Sequence, residues 1–584
     1  MDKKVIGILI AGALLAVIPW LGLPTFYESF IYLVLHWIIL ATSWNILSGY
    51  TGYFSFGHGA FFGAGMYTTA VLTVNFNMPF LWSLPFAGLV AALIGLAVGF
   101  VVFRTRKVRG ELFALLTLAV TFVLATIVLN TPIDGGPGVY MTSVAVPKFG
   151  PSASSSIYLI ALAVAVATVL IAYLIHGSRL GTGLFAIHDD EDVAEVMGVP
   201  TFRYKMVALC MSCGLAGLAG GIHALFVSYV TAGETFNITV PLTVVLMSVL
   251  GGTRHWAGPA LGAVVITALQ YAFTAGDSAV VGKAVTGAVL ISAILFMPNG
   301  ILYYFLKRRK KAGLQAPVEK NEAAAVPLSD GEVITRAPHV LSNEILLDVR
   351  EVSKAFSGVQ ALNKVSFNVR KGEILGLLGP NGSGKSTFIN VASGHFASDG
   401  GEILLGGIDL ARLPAHAVSH CGVARTYQIP RPFAHMSVLD NVSMAAMFGS
   451  NSLDRKASIR EAWECLEFTG LAAKALSLPE DLNLHQRKFL ELARALASRP
   501  QLVLLDEVLS GLTPGEINEA VRMIQKIRAQ GATIIFVEHV MRAVMALTDR
   551  VVVLHHGQMI ASGLATDVMQ QPEVITAYLG KQHA

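Results

Sequence analysis

The segment Ile374-Leu375-Gly376-Leu377-Leu378, followed by Gly379-Pro380-Asn381-Gly382-Ser383-Gly384-Lys385-Ser386-Thr387, decides the fold of the C-terminal half of this chain. Five apolar residues predict a buried strand, and the next nine match the spacing GxxxxGK[ST] of a phosphate-binding loop that opens a helix. In such a loop the backbone N–H groups and the helix N-terminus surround the phosphates. We therefore expect these nine residues to bind ATP, with Lys385 at the β- and γ-phosphates and the Ser386 hydroxyl on Mg²⁺.

Two more apolar strands are predicted downstream, and each ends in titratable residues. Residues 502–505 lead into Asp506 and Glu507, and residues 534–537 lead into Glu538 and His539. In α/β sheets, ligands bind at the carboxyl ends of parallel strands. We expect Asp506 to hold the Mg²⁺ of the nucleotide, Glu507 to act as general base on an attacking water, and His539 to lie at the same edge.

The two halves of the chain differ in charge. The whole chain is 54% hydrophobic and 14% charged, whereas soluble proteins carry about 25% charged residues. Residues 1–306 hold 12 basic and 11 acidic side chains, and the other 57 charged residues lie in 307–584. The net charge of +4 is too small to indicate a nucleic-acid partner, and four cysteines exclude a disulfide scaffold. The composition therefore predicts a membrane-embedded half, in contact with the lipid bilayer, and a water-soluble half.

The N-terminal half contains ten hydrophobic runs long enough to cross a bilayer. They lie near 5–23, 28–48, 53–74, 80–103, 111–131, 155–175, 206–230, 237–252, 257–275 and 282–306. With ten spans, ten Lys and Arg residues fall on cytoplasmic segments and two on outer ones, as the positive-inside rule requires. The prediction is an all-α polytopic membrane domain over 1–306 in the cytoplasmic (inner) membrane, a flexible linker over 307–343 and an α/β ATP-binding domain over 344–584. Both termini and the ATP-binding domain are then cytoplasmic.

Small and polar residues interrupt the apolar runs. Four glycine pairs have the GxxxG spacing that lets membrane helices approach closely, namely 59/63, 95/99, 217/221 and 258/262. Five polar residues in or beside the spans are candidates for solute contact or for interhelical hydrogen bonds, namely His36, Asn45, His58, Glu111 and Gln270. The sequence does not identify which of them, if any, contacts a substrate.

The half from residue 345 resembles the ATPase domains of ABC transporters, which implies an α/β P-loop domain with a helical subdomain. Asp506-Glu507 resembles the Walker B pair and Ser510-Gly511-Leu512 part of the D-loop. The resemblance implies that Gln428 is the Q-loop residue and a Mg²⁺ ligand with Ser386 and Asp506. It also makes His539 the switch histidine, so that Glu507, His539 and Gln428 are the expected catalytic residues. Phe356 matches the aromatic residue that stacks on adenine, with a core phenylalanine as the alternative.

Both halves resemble branched-chain amino acid (Liv-type) importers. The C-terminal segment 572–580 looks like the tail of their ATPases, and the motifs at 44–52, 55–59, 135–138 and 247–252 look like their permease. The resemblance implies an ATP-driven importer with an external solute-binding protein, a second permease and a second ATPase, either separate subunits or a second copy of this chain. Branched-chain or related amino acids are the expected solutes, with urea, amides and small aromatic acids as alternatives. An ABC exporter or a non-transporting membrane regulator fits the ten spans and short outer loops less well.

One motif departs from the family pattern. Where the ABC signature should be close to LSGGQ, the chain has Leu482 followed by Asn483, Leu484, His485 and Gln486. In the family the signature clamps the nucleotide bound to the opposite ATPase subunit. Two flexible, side-chain-free positions are lost here. Hydrolysis at the opposite site is therefore in question, with the alternative that Asn483 and the backbone of Leu484 and His485 form an adequate clamp.

The segment between spans six and seven, residues 176–204, resembles the coupling segment by which Liv-type permeases press on an ATPase. Its apolar residues Val193, Val196 and Met197 are spaced to lie on one side of a short helix, which could fill a groove near Gln428. A solvated acidic loop is the alternative.

Overall fold

The computed structural model of this protein describes residues 2–105, 108–133, 137–274 and 342–579, with scattered positions between 284 and 305. These residues fall into two compact units. The first comprises Met1–His188 with Phe202–Glu319, and the second Asp189–Thr201 with Lys320–Ala584. Of the 25 residues of the predicted tenth span, 11 lie outside the described residues, as do all but the last two residues of the predicted linker 307–343.

The first unit is helical, as predicted. The described helices of the N-terminal part of the chain are α1 (Lys3–Ala16), α2 (Thr25–Trp44), α3 (His58–Val74), α4 (Phe80–Arg104), α5 (Glu111–Leu129), α6 (Ala153–His176), α7 (Arg179–Asp189), α8 (Glu191–Val196), α9 (Thr201–Val227), α10 (Ala232–Thr235), α11 (Thr239–Gly251) and α12 (Gly258–Thr274). A short antiparallel pair joins β1 (Val139–Tyr140) to β2 (Tyr229–Val230).

The number of spans can be tested only in part. Seven helical segments of the described chain are long and apolar enough to cross a membrane, and they correspond to seven of the ten predicted runs. The predicted spans 53–74 and 257–275 are the helices α3 and α12, of 17 residues each. Ten spans therefore stays a prediction, while a multi-pass membrane protein is established.

Glycines of the predicted GxxxG pairs lie where helices touch. A Cβ on Gly217 of α9 would overlap Ala91 of α4, and a Cβ on Gly262 of α12 would overlap the carbonyl oxygen of Met247 in α11. A membrane gives helices no hydrophobic drive to associate, so close backbone contact supplies the packing energy. These glycines are packing residues.

The segment between α2 and α3 leaves the helical conformation. Residues 45–49 form a π-turn at the end of α2, and residues 52–57 are irregular. Side chains satisfy this backbone: Trp44 Nε1 donates to Ser55 O at 2.7 Å, and Phe56 N–H donates to Thr117 Oγ1 at 3.0 Å. Non-helical backbone is tolerated in a membrane domain only where protein or water takes up its hydrogen bonds. The motifs at 44–52 and 55–59 therefore supply the residues that form and stabilise this turn.

The second unit contains two sheets. Their strands are β3 (Ile345–Phe356), β4 (Val359–Arg370), β5 (Ile374–Leu378), β6 (Gly400–Leu405), β7 (Ile408–Asp409), β8 (Val423–Arg425), β9 (Leu502–Asp506), β10 (Thr533–Val537), β11 (Arg550–His555) and β12 (Gln558–Gly563). The larger sheet has the order β12-β11-β5-β10-β9-β8, in which all neighbours except β11 and β12 are parallel. The smaller sheet is antiparallel, with the order β4-β3-β6-β7.

Burial explains why the three predicted strands are uniformly apolar. Every residue of β5, β9 and β10 is buried, because both faces of a parallel sheet are covered. One face shares a core with the smaller sheet, in which Leu347 and Val349 of β3 lie with Leu375 of β5 and Leu504 of β9. The helices of this part of the chain are α13 (Lys385–Ala392), α14 (Ala415–His420), α15 (Val438–Phe448), α16 (Arg455–Phe468), α17 (Leu484–Ala497), α18 (Pro514–Ala529), α19 (Met541–Leu547), α20 (Ala565–Val568) and α21 (Pro572–Leu579). The helices α15, α16 and α17 pack against one another as a helical subdomain, as the resemblance implied.

Candidate functional site

The predicted site residues meet at one edge of the parallel sheet. The phosphate loop follows β5, Gln428 follows β8, the pair Asp506-Glu507 ends β9, and His539 follows β10. Since β8, β9, β10 and β5 are parallel neighbours, their carboxyl ends lie side by side. The strands thus bring together residues that are more than 150 positions apart in sequence.

The phosphate loop has the conformation that its glycines permit. Gly379, Gly382 and Gly384 have φ values of 143°, 78° and 109°. A Cβ on Gly379 would overlap the carbonyl oxygen of Leu554, so a larger residue at this position would prevent the loop from adopting this conformation. Lys385 begins α13, and its Nζ donates to the carbonyl oxygens of Gly379 at 2.7 Å and Pro380 at 2.9 Å. Burial lowers the pKa of Lys385, while the charges of Glu507 and Asp506 oppose that shift.

The carboxylate of Glu507 is held at both oxygens. Gln428 Nε2 donates to Glu507 Oε2 at 2.6 Å, and His539 Nε2 lies 2.7 Å from Glu507 Oε1. A carboxylate can only accept, so His539 carries its proton on Nε2 and donates it in this contact. The structure therefore brings all three predicted catalytic residues into direct contact.

Asp506 is buried behind this cluster. Its backbone N–H donates to Thr426 Oγ1 at 3.2 Å, which ties β9 to the strand that carries Gln428. Burial raises the pKa of Asp506, and the nearby charges of Arg425 and Lys385 lower it. A buried carboxylate at this edge is suited to a cation bound with the phosphates.

Two contacts of this edge were not predicted from the sequence. The buried carboxylate of Glu538 accepts from the backbone N–H groups of Leu509 at 2.6 Å and His539 at 3.2 Å. The Tyr578 hydroxyl of α21 accepts from Gly379 N–H at 2.8 Å. In the sequence, Glu538 stands beside His539, and Tyr578 lies in the segment 572–580 that resembles the tail of the family. Neither position has a spacing that indicates its hydrogen-bond partner.

Phe356 ends β3 at the surface. Its side chain is 39% exposed and meets Phe396 edge-on, with ring centroids 5.2 Å apart. Lys354 Nζ lies 5.5 Å from the centre of the Phe356 ring. The alternative of a core phenylalanine is therefore wrong, and an open aromatic face is what stacking on a base requires.

The signature segment forms the start of α17. Asn483 is the N-cap, and its Oδ1 accepts from Gln486 N–H at 2.8 Å while Gln486 Oε1 accepts from Asn483 N–H at 3.2 Å. Leu484 is 47% exposed and lies against Gly511, and the His485 ring meets Phe489 edge-on at 4.2 Å. Their contacts thus run to the D-loop and along α17. The side chains of Asn483 and Gln486 are occupied in the helix cap, and His485 Nε2 lies 3.5 Å from Glu519 Oε2.

Residues 189–201 of the predicted coupling segment 176–204 belong to the second unit. Asp189 accepts from His435 through the backbone N–H at 2.9 Å and Nδ1 at 2.7 Å, and Asp190 lies 3.6 Å from Arg431. The predicted apolar side, Val193 with Val196 and Met197, is buried. Met197 Sδ accepts from Nη2 of the fully buried Arg494 at 2.9 Å. The prediction of a groove-filling helix is confirmed, and the alternative of a solvated loop is wrong.

The Arg431 contact connects this groove to Gln428. The guanidinium carbons of Arg425 and Arg431 lie 4.5 and 5.7 Å from the centre of the Tyr427 ring. Tyr427 immediately precedes Gln428, and burial raises its pKa to about 12. Asp190 is thus linked through Arg431 to Tyr427, the residue that precedes Gln428.

Polar residues inside the helical unit make local contacts. His36 stacks on His223 with ring centroids 4.3 Å apart, His58 Nε2 lies 3.3 Å from Ser43 Oγ, and Asn45 Nδ2 donates to Thr253 O at 2.9 Å. Interhelical packing accounts for these three. Glu111 is exposed at the start of α5, and Gln270 is half-buried in α12. No substrate-contacting residue is assigned from these contacts.

Comparisons with known proteins match both units. Residues 26–294 match the family model of the branched-chain amino acid transport system permease component, and residues 362–510 match that of ABC transporters. The probable branched-chain amino acid transport ATP-binding protein LivG of Archaeoglobus fulgidus is 34% identical over 247 residues, which are 41% of this chain and 96% of that protein. The high-affinity branched-chain amino acid transport ATP-binding protein BraF of Pseudomonas aeruginosa is 32% identical over 250 residues, or 40% and 98% of the two chains.

Among solved structures, a nucleotide-free ATP-binding cassette from an ABC transporter is 29% identical in sequence, with a TM-score of 0.37. The match covers 41% of this chain and 100% of that one. The family relationship rests on the sequence matches, which extend over nearly the whole of the related ATPases. The chain belongs to the branched-chain amino acid ABC transporters, and it fuses their permease to their ATP-hydrolysing subunit.

Proposed function

We propose that this chain is half of an importer that moves branched-chain amino acids across the cytoplasmic membrane at the expense of ATP. The ATPase relatives are named for branched-chain amino acid transport, and the permease match has the same description. Urea, amides and small aromatic acids are the second candidate group, because the permease motifs do not discriminate among small solutes. One observation carries the transport proposal. Glu507, Gln428 and His539 meet at the sheet edge beside the phosphate loop, in a chain that also matches a permease.

In the proposed site the nucleotide lies along the phosphate loop. The backbone N–H groups of residues 379–387 face its phosphates, Lys385 exchanges its carbonyl partners for the β- and γ-phosphates, and Phe356 stacks on adenine. The oxygens of Ser386, Asp506 and Gln428 are the hard donors that Mg²⁺ prefers, so these residues fit the ion. Bound there, Mg²⁺ would neutralise phosphate charge during hydrolysis.

Glu507 is proposed as the general base. Its two oxygens already accept from Gln428 and His539, and these contacts fix the orientation of the carboxylate. A base held in this way can accept a proton from a water that attacks the γ-phosphate. His539 and Gln428 position the base and sense the phosphate, and Asp506 holds the cation.

The transport cycle is proposed to couple through residues 189–199. ATP binding would close two ATPase units over two nucleotides and displace the docked coupling segment, and hydrolysis would reset it. A second permease and a second ATPase must complete the assembly, as separate subunits or a second copy of this chain. A solute-binding protein on the outer face would deliver the amino acid. We propose that both termini and the ATPase unit lie in the cytoplasm, which the positive-inside bias of the Lys and Arg residues supports.

The proposal is tested in proteoliposomes that contain the full chain with its partner subunits. We expect ATP-dependent accumulation of radiolabelled leucine, isoleucine or valine, which unlabelled members of this group suppress and urea does not. Accumulation of radiolabelled urea, amides or small aromatic acids, with no accumulation of the three amino acids, would assign the second candidate group. ATP hydrolysis without accumulation of any of these solutes would contradict the import proposal.

A further inference from the structure

The backbone of Glu507 has a conformation that ordinary residues avoid. Its φ of 47° lies in the left-handed region, although its side chain carries a Cβ. Such a conformation persists only where neighbouring contacts hold both sides of the residue. The N–H of Glu507 donates to Val537 O at 2.9 Å. Its carbonyl oxygen accepts from Lys488 Nζ at 3.1 Å.

Lys488 is buried in the second turn of α17. Only 6% of the residue is exposed, and burial lowers its pKa while the charges of Glu538 and Glu507 oppose that shift. Both carboxylate oxygens of Glu538 accept hydrogen bonds from backbone N–H groups, those of Leu509 and His539. The hydrogen bond that the structure shows for the Lys488 ammonium goes to a peptide carbonyl, in a place where burial of an ammonium costs free energy.

We infer that Lys488 is a positioning residue for ATP hydrolysis, which holds the strained peptide of Glu507 and links its carboxylate to the signature helix. The inference rests on the proposed role of Glu507 as the base. A charged hydrogen bond to the Glu507 carbonyl fixes the rotation of that peptide, and the peptide in turn directs the side chain toward Gln428 and His539. Without this bond the peptide is held only through its N–H, and the carboxylate depends on Gln428 and His539 alone for its orientation.

The position of Lys488 on α17 gives the contact a second consequence. The signature residues 483–486 form the cap and first turn of the same helix, which runs without interruption over 14 residues. A shift of the signature segment against the partner ATPase would be transmitted through Lys488 to the base of this chain's own site. The two ATP sites of the assembly would communicate by this route.

The test uses the assembled transporter carrying Lys488→Met, which keeps the apolar stem and removes the donor. We expect kcat for ATP hydrolysis to fall about tenfold, as for loss of a charged hydrogen bond, with the KM for ATP changed less than about twofold. Lys488→Arg keeps a donor and should restore most of the rate. Arg487→Met is the matched control, because the neighbouring Arg487 donates to Pro479 O away from the base and should leave kcat unchanged.

A double variant separates this inference from the role of Glu507. In single-turnover hydrolysis, Lys488→Met should add no further loss to Glu507→Gln, because both changes act through one carboxylate. A further tenfold loss in the double variant, or a raised KM with normal kcat in Lys488→Met, would overturn the positioning role. Normal turnover of Glu507→Gln alone would instead overturn the proposed base, whatever Lys488 does.

Discussion

Glu507 and Lys385 act on different steps of the proposed ATPase cycle, and single substitutions should separate them. Glu507→Gln keeps the size of the side chain and removes the base, so ATP should still bind. Hydrolysis should fall about 10²–10⁴-fold, the usual contribution of a general base. Single-turnover hydrolysis and binding of a fluorescent ATP analogue by the assembled complex measure the two effects. Full turnover in this variant would count against the assignment, provided that the partner ATPase carries its own inactivating change.

Lys385→Ala should have the opposite profile. The Lys385 ammonium already occupies the centre of the loop, where it donates to Gly379 O and Pro380 O. Its removal takes a charged contact from the phosphates, so the Kd for ATP should rise about 10- to 100-fold and uptake should fall with it. Lys371→Ala is the control, since Lys371 pairs with Glu344 at the surface and should leave the Kd unchanged. An unaltered Kd for Lys385→Ala would remove this lysine from the phosphate site.

Residues of the site differ in how far the sequence could predict them. The phosphate loop is contiguous, so its spacing alone indicates its chemistry, and Asp506, Glu507 and His539 each follow an apolar run that predicts a strand. Gln428 and Phe356 needed a family resemblance. The partnerships of Lys488 with Glu507 and of Tyr578 with Gly379 join residues 19 and 199 positions apart. Such contacts depend on how the helices pack against the sheet. No local pattern in a single sequence indicates that packing.

At the scale of elements, the coupling segment should transmit motion through a few polar contacts. Asp189 holds both the backbone and the side chain of His435, and its own side chain is 4% exposed. Asp189→Ala should leave ATP hydrolysis within about twofold and lower leucine uptake about tenfold, because two hydrogen bonds to the carboxylate are lost. The comparison of hydrolysis with uptake in the same proteoliposomes measures the coupling ratio.

Glu467→Gln serves as the control for this substitution. Glu467 is an exposed carboxylate near the end of α16, so neutralising it changes net charge without altering the groove. Equal losses of hydrolysis and uptake in Asp189→Ala would indicate damage to the ATPase unit. Unchanged uptake would show that the Asp189 contacts do not transmit the motion.

The whole molecule combines an edge at which the proposed catalytic residues meet with a signature segment that departs from the family pattern. Glu507, Gln428 and His539 are assembled, whereas Asn483 and Gln486 cap α17 with their side chains and Leu484 stands exposed beside Gly511. In an assembly with a separate ATPase partner the two sites would then differ. The site on Lys385 would be completed by the partner's signature and hydrolyse normally. The opposite site would hold ATP longer and keep the two ATPases together.

Restoring the signature tests this asymmetry. The triple change Asn483→Ser, Leu484→Gly and His485→Gly keeps a capping hydroxyl and returns two positions without side chains, so turnover at the opposite site should rise. Trapping nucleotide in the assembled complex and identifying the site that retains ATP after one turnover gives the direct measurement. If both sites lose ATP equally and the restored signature brings no gain, Asn483 and the backbone of Leu484 and His485 already form an adequate clamp. The transporter would then have two equivalent hydrolytic sites, and the altered residues would serve only to cap α17.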